Sequence, residues 1–211
     1  MQKGRSMSKD NETSRYFTIV VYPDEMPKGT LIKLSRLGVL FISPIHESKK
    51  PPEVFIGEFA PSDYKPPKKH QHIAIKTSNK QTENAFIIQL CEVLNNDFTG
   101  VSLHKGDALI KDIQMMIRYF YHLDSPAKEP FNWEDAIQDV NPQFTEEVLK
   151  AFNLEITVKV SLLIQAGEIE NIQQIMCYYP NSAVLIKWLY TGRNMYVVNS
   201  QFNEIRRNSK L

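Results

Sequence analysis

An α+β fold is what this 211-residue sequence predicts: an antiparallel-rich sheet with helices packed on its face, followed by an all-helical part. Three observations lead there. Short β-branched and aromatic runs with period-two alternation occur only in the first half of the chain. Helical apolar stripes are interleaved with them. Beyond Pro126 and Pro130 the strand signals vanish and only helical patterns follow.

The first 14 residues are rich in Ser, Lys, Asp and Asn and lack periodicity, which predicts a disordered tail. Tyr16–Tyr22 (YFTIVVY) reads as a strand stopped by Pro23. Thr30–Leu37 reads as a short helix closed by Gly38, and Val39–Ser43 as a second strand whose exit carries His46. From Glu47 to Lys69 five prolines and several lysines break every pattern, with Val54–Ile56 as a possible edge hairpin. Connections of that length are uncommon unless they carry function.

His70–Lys76 is predicted as a strand with His70, His72, Ala74 and Lys76 on one face and Gln71, Ile73 and Ile75 on the helix-packed face. Thr82–Leu94 is a predicted helix with a Phe86, Leu90 and Val93 stripe, and Val101–Leu103 a short strand. Asp107 is expected to cap a helix from Ala108 to about Tyr121, with Leu109, Ile113, Met116 and Phe120 buried and Asp112, Met115 and Tyr119 on a neighbouring face. Helical candidates then follow at Glu134–Asp139, Gln143–Phe152, Ile156–Gln165, Ile169–Cys177, Ala183–Tyr190 and Met195–Arg206. The expected division is a tail over 1–14, a mixed domain over 15–130 and a helical domain over 131–211, the last suited to assembly or partner contact.

Composition, at 42% hydrophobic and 23% charged, is that of an ordinary globular protein. Residues 1–130 hold 18 Lys/Arg against 15 Asp/Glu, and the remainder 7 against 9, a mildly basic front that suits a polyanion-binding module. No apolar run approaches the ~20 residues needed to span a bilayer, and the polar first 15 residues hold no signal-like apolar segment. A cytoplasmic protein without membrane contact is expected. Cys91 and Cys177 lie in apolar helical patterns and read as buried thiols.

The chemistry centres on His70-Gln71-His72. Side chains at i and i+2 of a strand share a face, so two imidazoles can hold one divalent ion, with His46 as a third ligand. The competing reading is a polar patch on a sheet face. Tyr119 and Tyr121 sit about 200° apart on their helix, each residue turning ~100°. A phenol becomes a phosphodiester nucleophile only when a nearby cation or metal favours its phenolate; otherwise both tyrosines are core-edge residues. Near a metal site Lys49, Lys50, Lys65, Lys68 and Lys69 could hold DNA phosphates; as isolated lysines of a polar loop they need no explanation.

Four ordered motifs bear on this choice: Arg15-Tyr16-Phe17-Thr18 leading to Tyr22-Pro23, then Ile42-Ser43-Pro44-Ile45-His46, then Lys68-Lys69-His70-Gln71-His72, then Ile117-Arg118-Tyr119-Phe120-Tyr121-His122-Leu123. Together, over about Arg15–Lys128, they resemble the replication initiators of small Gram-positive rolling-circle plasmids, within the HUH endonuclease superfamily. The resemblance implies an HUH endonuclease-like fold that binds the double-strand plasmid origin and nicks one strand. Tyr119 would be the nucleophile, leaving a 5′-phosphotyrosine and a 3′-hydroxyl for the host replication machinery. His46, His70 and His72 would hold Mn²⁺ or Mg²⁺, and the helical C-terminal part would assemble a homo-oligomeric ring. Origin DNA, double- and single-stranded, is the implied partner.

Two departures stand out. Relatives follow their first His with Asp-Lys-Asp, the second Asp being a ligand; here the stretch is Glu47-Ser48-Lys49, so Glu47, or Glu53, Glu58 or Asp63 from the long connection, would have to substitute. Polar Gln71 also replaces the hydrophobe expected between the histidines. The missing Asp keeps a second reading open: an origin-binding protein of the same fold with a degenerate metal site. Relaxases and transposases of the superfamily fit less well, since here Tyr119 follows the His motif and a helical second half is present.

Overall fold

The computed structural model describes residues 12–47, 68–103, 108–138, 140–180, 182–191 and 194–208. It is a mixed α+β structure, with one antiparallel sheet of four strands and, among the described residues, eight α-helices. Contacts divide the chain into two compact units between Lys111 and Asp112.

The first unit contains β1 (Thr13–Val21), α1 (Thr30–Leu34), β2 (Val39–Ile42), β3 (Gln71–Thr82), α2 (Glu83–Leu94) and β4 (Val101–Ser102). The sheet order is β2-β3-β1-β4. Register follows side-chain alternation: Ile19 opposes Ile73 and Phe17 opposes Ile75, so the apolar set of each strand points to one face. There Phe17, Ile19, Val21, Ile73 and Ile75 pack with Leu34 of α1 and with Phe86, Leu90 and Leu94 of α2. Phe17 and Phe86 stack with ring centroids 4.2 Å apart. Leu94, in place of the expected Val93, completes the α2 stripe because 86, 90 and 94 repeat at i+4. Gly38 is required where the chain turns into β2, since a Cβ there would lie 2.2 Å from the Lys76 carbonyl oxygen.

Several boundaries differ from the sequence reading. β1 begins at Thr13, and Thr13 and Ser14 pair with Thr82 and Gln81; of the expected tail, residues 1–11 lie outside the described residues. β3 runs six residues past Lys76, through an irregularity after the Tyr16–Lys76 pair where the Thr77 hydroxyl bonds the Arg15 and Asn79 carbonyls. Polar Thr77–Gln81 carries no alternation by which such a strand could be read. Val54–Ile56 and Asp107 lie outside the described residues.

The helix expected from Ala108 instead starts at Ile113. Ala108–Ile110 runs extended along β1, with Thr18 N–H donating to Ala108 C=O at 2.7 Å and Ile110 N–H to Tyr16 C=O at 2.9 Å. Asp112 is the N-cap, its Oδ1 accepting from the Gln114 and Met115 amides at 2.9 and 3.1 Å. The strand edge competes successfully for the apolar Ala-Leu-Ile segment.

The second unit is helical: α3 (Ile113–Phe120), α4 (Glu134–Gln138), α5 (Thr145–Gln165), α6 (Ile172–Tyr178), α7 (Ala183–Tyr190) and α8 (Asn194–Asn208). α5 is one continuous helix where the sequence suggested two. Its buried Val148, Phe152, Ile156, Val160 and Ile164 line the core against α3, α4, α7 and α8. Asn153-Leu154-Glu155 interrupts the apolar pattern without breaking the backbone, since each is compatible with helix. Cys91 is half-buried and Cys177 exposed, so the expected burial of both thiols is corrected, and neither is in a disulfide.

Candidate metal centre and tyrosine helix

The histidine centre is built by a defect in the β2–β3 ladder. Up to Ile42, which opposes Ile73, pairing is regular; the next bridge is His46 with His70, so four steps on one strand match three on the other. The extra residue is a bulge at Ser43-Pro44, where Pro44 has no N–H to give to a ladder. Ser43 bridges the gap: its N–H donates to His72 C=O, and its Oγ accepts from His72 N–H, both at 2.9 Å. Regular pairing would put Ile45 opposite His70; the bulge puts His46 there.

His46, His70 and His72 consequently share one face. Their ring centroids are 4.7 to 5.3 Å apart, and one nitrogen from each falls within 4.8 Å of the others. His46 and His72 are buried, and His70 is half-exposed. The Lys68 carbonyl lies 3.1 Å from His70 Nδ1. A carbonyl only accepts, so Nδ1 is the donor in this contact; in the neutral ring that leaves the Nε2 lone pair for a metal, as backbone carbonyls behind metal-binding imidazoles do. The donor set fits a divalent first-row ion, with three imidazole nitrogens converging and His70 partly exposed.

Among the described residues no carboxylate joins this group. Glu47 is instead paired with Lys69 at 2.9 Å. Lys49, Glu53, Glu58 and Asp63 lie outside the described residues. Gln71 has a local explanation: its side-chain amide donates to Ser43 C=O at 2.9 Å, so a polar residue between the histidines ties down the bulge.

In the second unit, Tyr119 on α3 and Tyr121 at its C-cap stand in opposite environments. Tyr119 is 47% exposed and Tyr121 only 4%. Tyr121 packs edge-on against Phe152 at 5.4 Å, and burial pushes its phenol well above the ordinary tyrosine range. Arg118 of α3 donates to both oxygens of Asp124 and, on α5, to Ala151 C=O and to Glu155, each at 2.8 Å. Those carboxylates hold the guanidinium firmly charged. Lys128 Nζ lies over the Tyr119 ring, 5.5 Å from its centroid.

The family model for the plasmid replication protein origin-binding domain matches residues 9–155, more than half of the chain. The chain belongs to this family. No curated protein matched it. As a plasmid replication protein with an origin-binding domain, it binds plasmid origin DNA and serves plasmid replication. The match covers the sheet, the histidine centre and the tyrosine helix, and ends within α5. No described helix is long and apolar enough to cross a membrane.

In this plasmid replication protein the lysines flanking the His strand are already engaged. Lys68 is ion-paired with Glu25 and lies over the Tyr22 ring at 5.7 Å. Lys69 is paired with Glu47. In each case the carboxylate hydrogen bond raises the ammonium pKa. A DNA phosphate reaching either would displace a carboxylate. Lys49, Lys50 and Lys65 lie outside the described residues. The structural roles of Ser43, Gln71, Arg118 and Lys128 are not given by the sequence reading. Ser43-Pro44 just before His46 was the signal for the bulge, whereas Arg118 and Lys128 act through partners distant in sequence or across a turn.

Proposed function

We propose that this plasmid replication protein nicks one strand of the double-strand origin and so starts rolling-circle replication. His46, His70 and His72 would hold Mn²⁺ or Mg²⁺, with Glu47 as an added ligand only if it leaves Lys69. The bound ion would supply Lewis acidity, stabilising negative charge on the scissile phosphate. Tyr119 Oη attacks phosphorus as its phenolic proton is lost. The bond from phosphorus to the 3′-oxygen breaks, and that oxygen takes up a proton. The products are a 5′-phosphotyrosine on Tyr119 and a free 3′-hydroxyl, the end that host polymerase extends. Exposure favours Tyr119 over buried Tyr121 for this role.

The observation that carries the reading is the convergence of three histidines around a ladder bulge in a chain of this family. The test is supercoiled plasmid carrying the cognate origin, incubated with the protein and Mn²⁺. A nicked, covalently protein-linked product that is lost in Tyr119→Phe supports the mechanism; an adduct formed by Tyr119→Phe at wild-type rate rejects it.

A second reading is origin binding with a weakly active or inactive metal site. The Glu47–Lys69 pair, and the lack of a carboxylate in the group among the described residues, favour it. It predicts origin binding that survives His70→Ala and His72→Ala, and no nicking with any divalent ion. In either case residues 15–130 are proposed as the origin-binding domain and 131–211 as the part that assembles a homo-oligomer, in the form of a ring, in the cytoplasm.

A further inference from the structure

The segment after α3 is a tightly built return. Leu123 N–H donates to Arg118 C=O at 3.2 Å, Ser125 to His122 at 3.2 Å, Lys128 to Ser125 at 3.1 Å and Phe131 to Tyr121 at 3.0 Å. His122 takes a left-handed conformation, φ 56°, to start the reversal. Its Nδ1 lies 3.2 Å from Glu129 C=O and its ring 4.8 Å from that of Phe131. Asp124 is fixed in the Arg118 fork. These contacts deliver one cation, Lys128, to the face of Tyr119.

Lys128 differs from the other lysines near candidate sites. Lys68 and Lys69, which flank the His strand, each pair with a carboxylate. Lys128 is exposed and, among the described residues, has no ion pair. A cation–π contact at an exposed site is weak. An ammonium that weakly held can leave the ring face for an anion.

We infer that Lys128 is a phosphate-binding residue that seats a backbone phosphate of the single-stranded target against Tyr119. The inference rests on the reading of Tyr119 as the nucleophile. The flexible stem lets the ammonium swing from the ring to a phosphate oxygen while the return loop stays fixed. Lys128 thereby positions the strand, and the tyrosine does the chemistry.

The test is binding in EDTA of a fluorescein-labelled single-stranded oligonucleotide from the cognate origin, at several salt concentrations. Each phosphate contact to a single strand contributes about 0.7 to the slope of log affinity against log salt. Lys128→Gln should lower that slope by this amount and weaken binding severalfold at low salt. Lys128→Arg should keep the slope. Lys150→Gln, an equal charge loss on α5, should leave it unchanged, as should melting temperature in all three. In Mn²⁺, Lys128→Gln should slow single-turnover cleavage of the supercoiled plasmid at least tenfold. An unchanged slope in Lys128→Gln overturns the inference, as does a slope that falls equally in Lys150→Gln. A slope lost in Lys128→Gln alone, with no cleavage by the wild-type protein under any divalent ion, leaves the phosphate contact standing and removes the nicking reading.

Discussion

His46 and His70 face each other as a hydrogen-bonded cross-strand pair: the His46 amide donates to His70 C=O at 2.8 Å, and the His70 amide returns a bond to His46 C=O at 3.2 Å. Ser43 spans the bulge beside the pair through its two hydrogen bonds with His72, and it is 2% exposed. Ser43→Ala leaves the His72 amide without its Oγ acceptor, at a cost of about 1–3 kcal/mol. Urea denaturation should show that loss, and Mn²⁺ affinity measured by calorimetry should fall with it.

His70→Ala and His72→Ala each remove one nitrogen from the centre while leaving the Ile73 and Ile75 core face intact. Mn²⁺ affinity should drop at least tenfold in either variant, read by electron paramagnetic resonance of the free ion. The far-ultraviolet circular dichroism should not change.

The two tyrosines of α3 should separate cleanly. Tyr119→Phe keeps the ring and should alter stability by no more than about 0.5 kcal/mol. Tyr121→Ala removes a buried aromatic packed on Phe152, and should cost about 3–5 kcal/mol in thermal or urea unfolding. Equal effects on stability would contradict the burial of Tyr121.

Arg118 ties α3 to α5 through Glu155 and Ala151. Arg118→Ala should destabilise by about 2–4 kcal/mol, since it strands partly buried acceptors. Asp124, held by the same guanidinium, has its carboxyl pKa lowered in the folded state. A lowered folded pKa means stability that is present above the unfolded Asp value, near 3.9, and lost as pH falls through the folded value. Acid unfolding profiles of Asp124→Asn should therefore be flatter than wild type below about pH 4.

Much of this was legible in the sequence because alternation is a strong signal where one strand face is buried. The strand placement of His70 and His72, the Ile73–Ile75 core face and the position of His46 beyond β2 all follow from it. What sequence hid was settled by partners. Ala108–Ile110 has a helical apolar pattern but joins β1, whose free edge accepts it. The polar end of β3 is a strand because β1 begins three residues earlier than its apolar run. The helical spacing set Tyr119 and Tyr121 on different faces, and only packing on Phe152 decided which is buried. Glu47 directly follows His46 in the sequence, yet its carboxylate is paired with Lys69.

The cross-strand pairing that continues β2 and β3 holds His46 against His70, on either side of the linkage over residues 48–67. Cutting that linkage would yield two fragments, one with His46 and one with His70 and His72, that retain the matching β2 and β3 edges. Metal would then act as a glue between them, and fragment complementation would become a direct assay of the centre. The site is a clasp in two pieces that backbone pairing holds together.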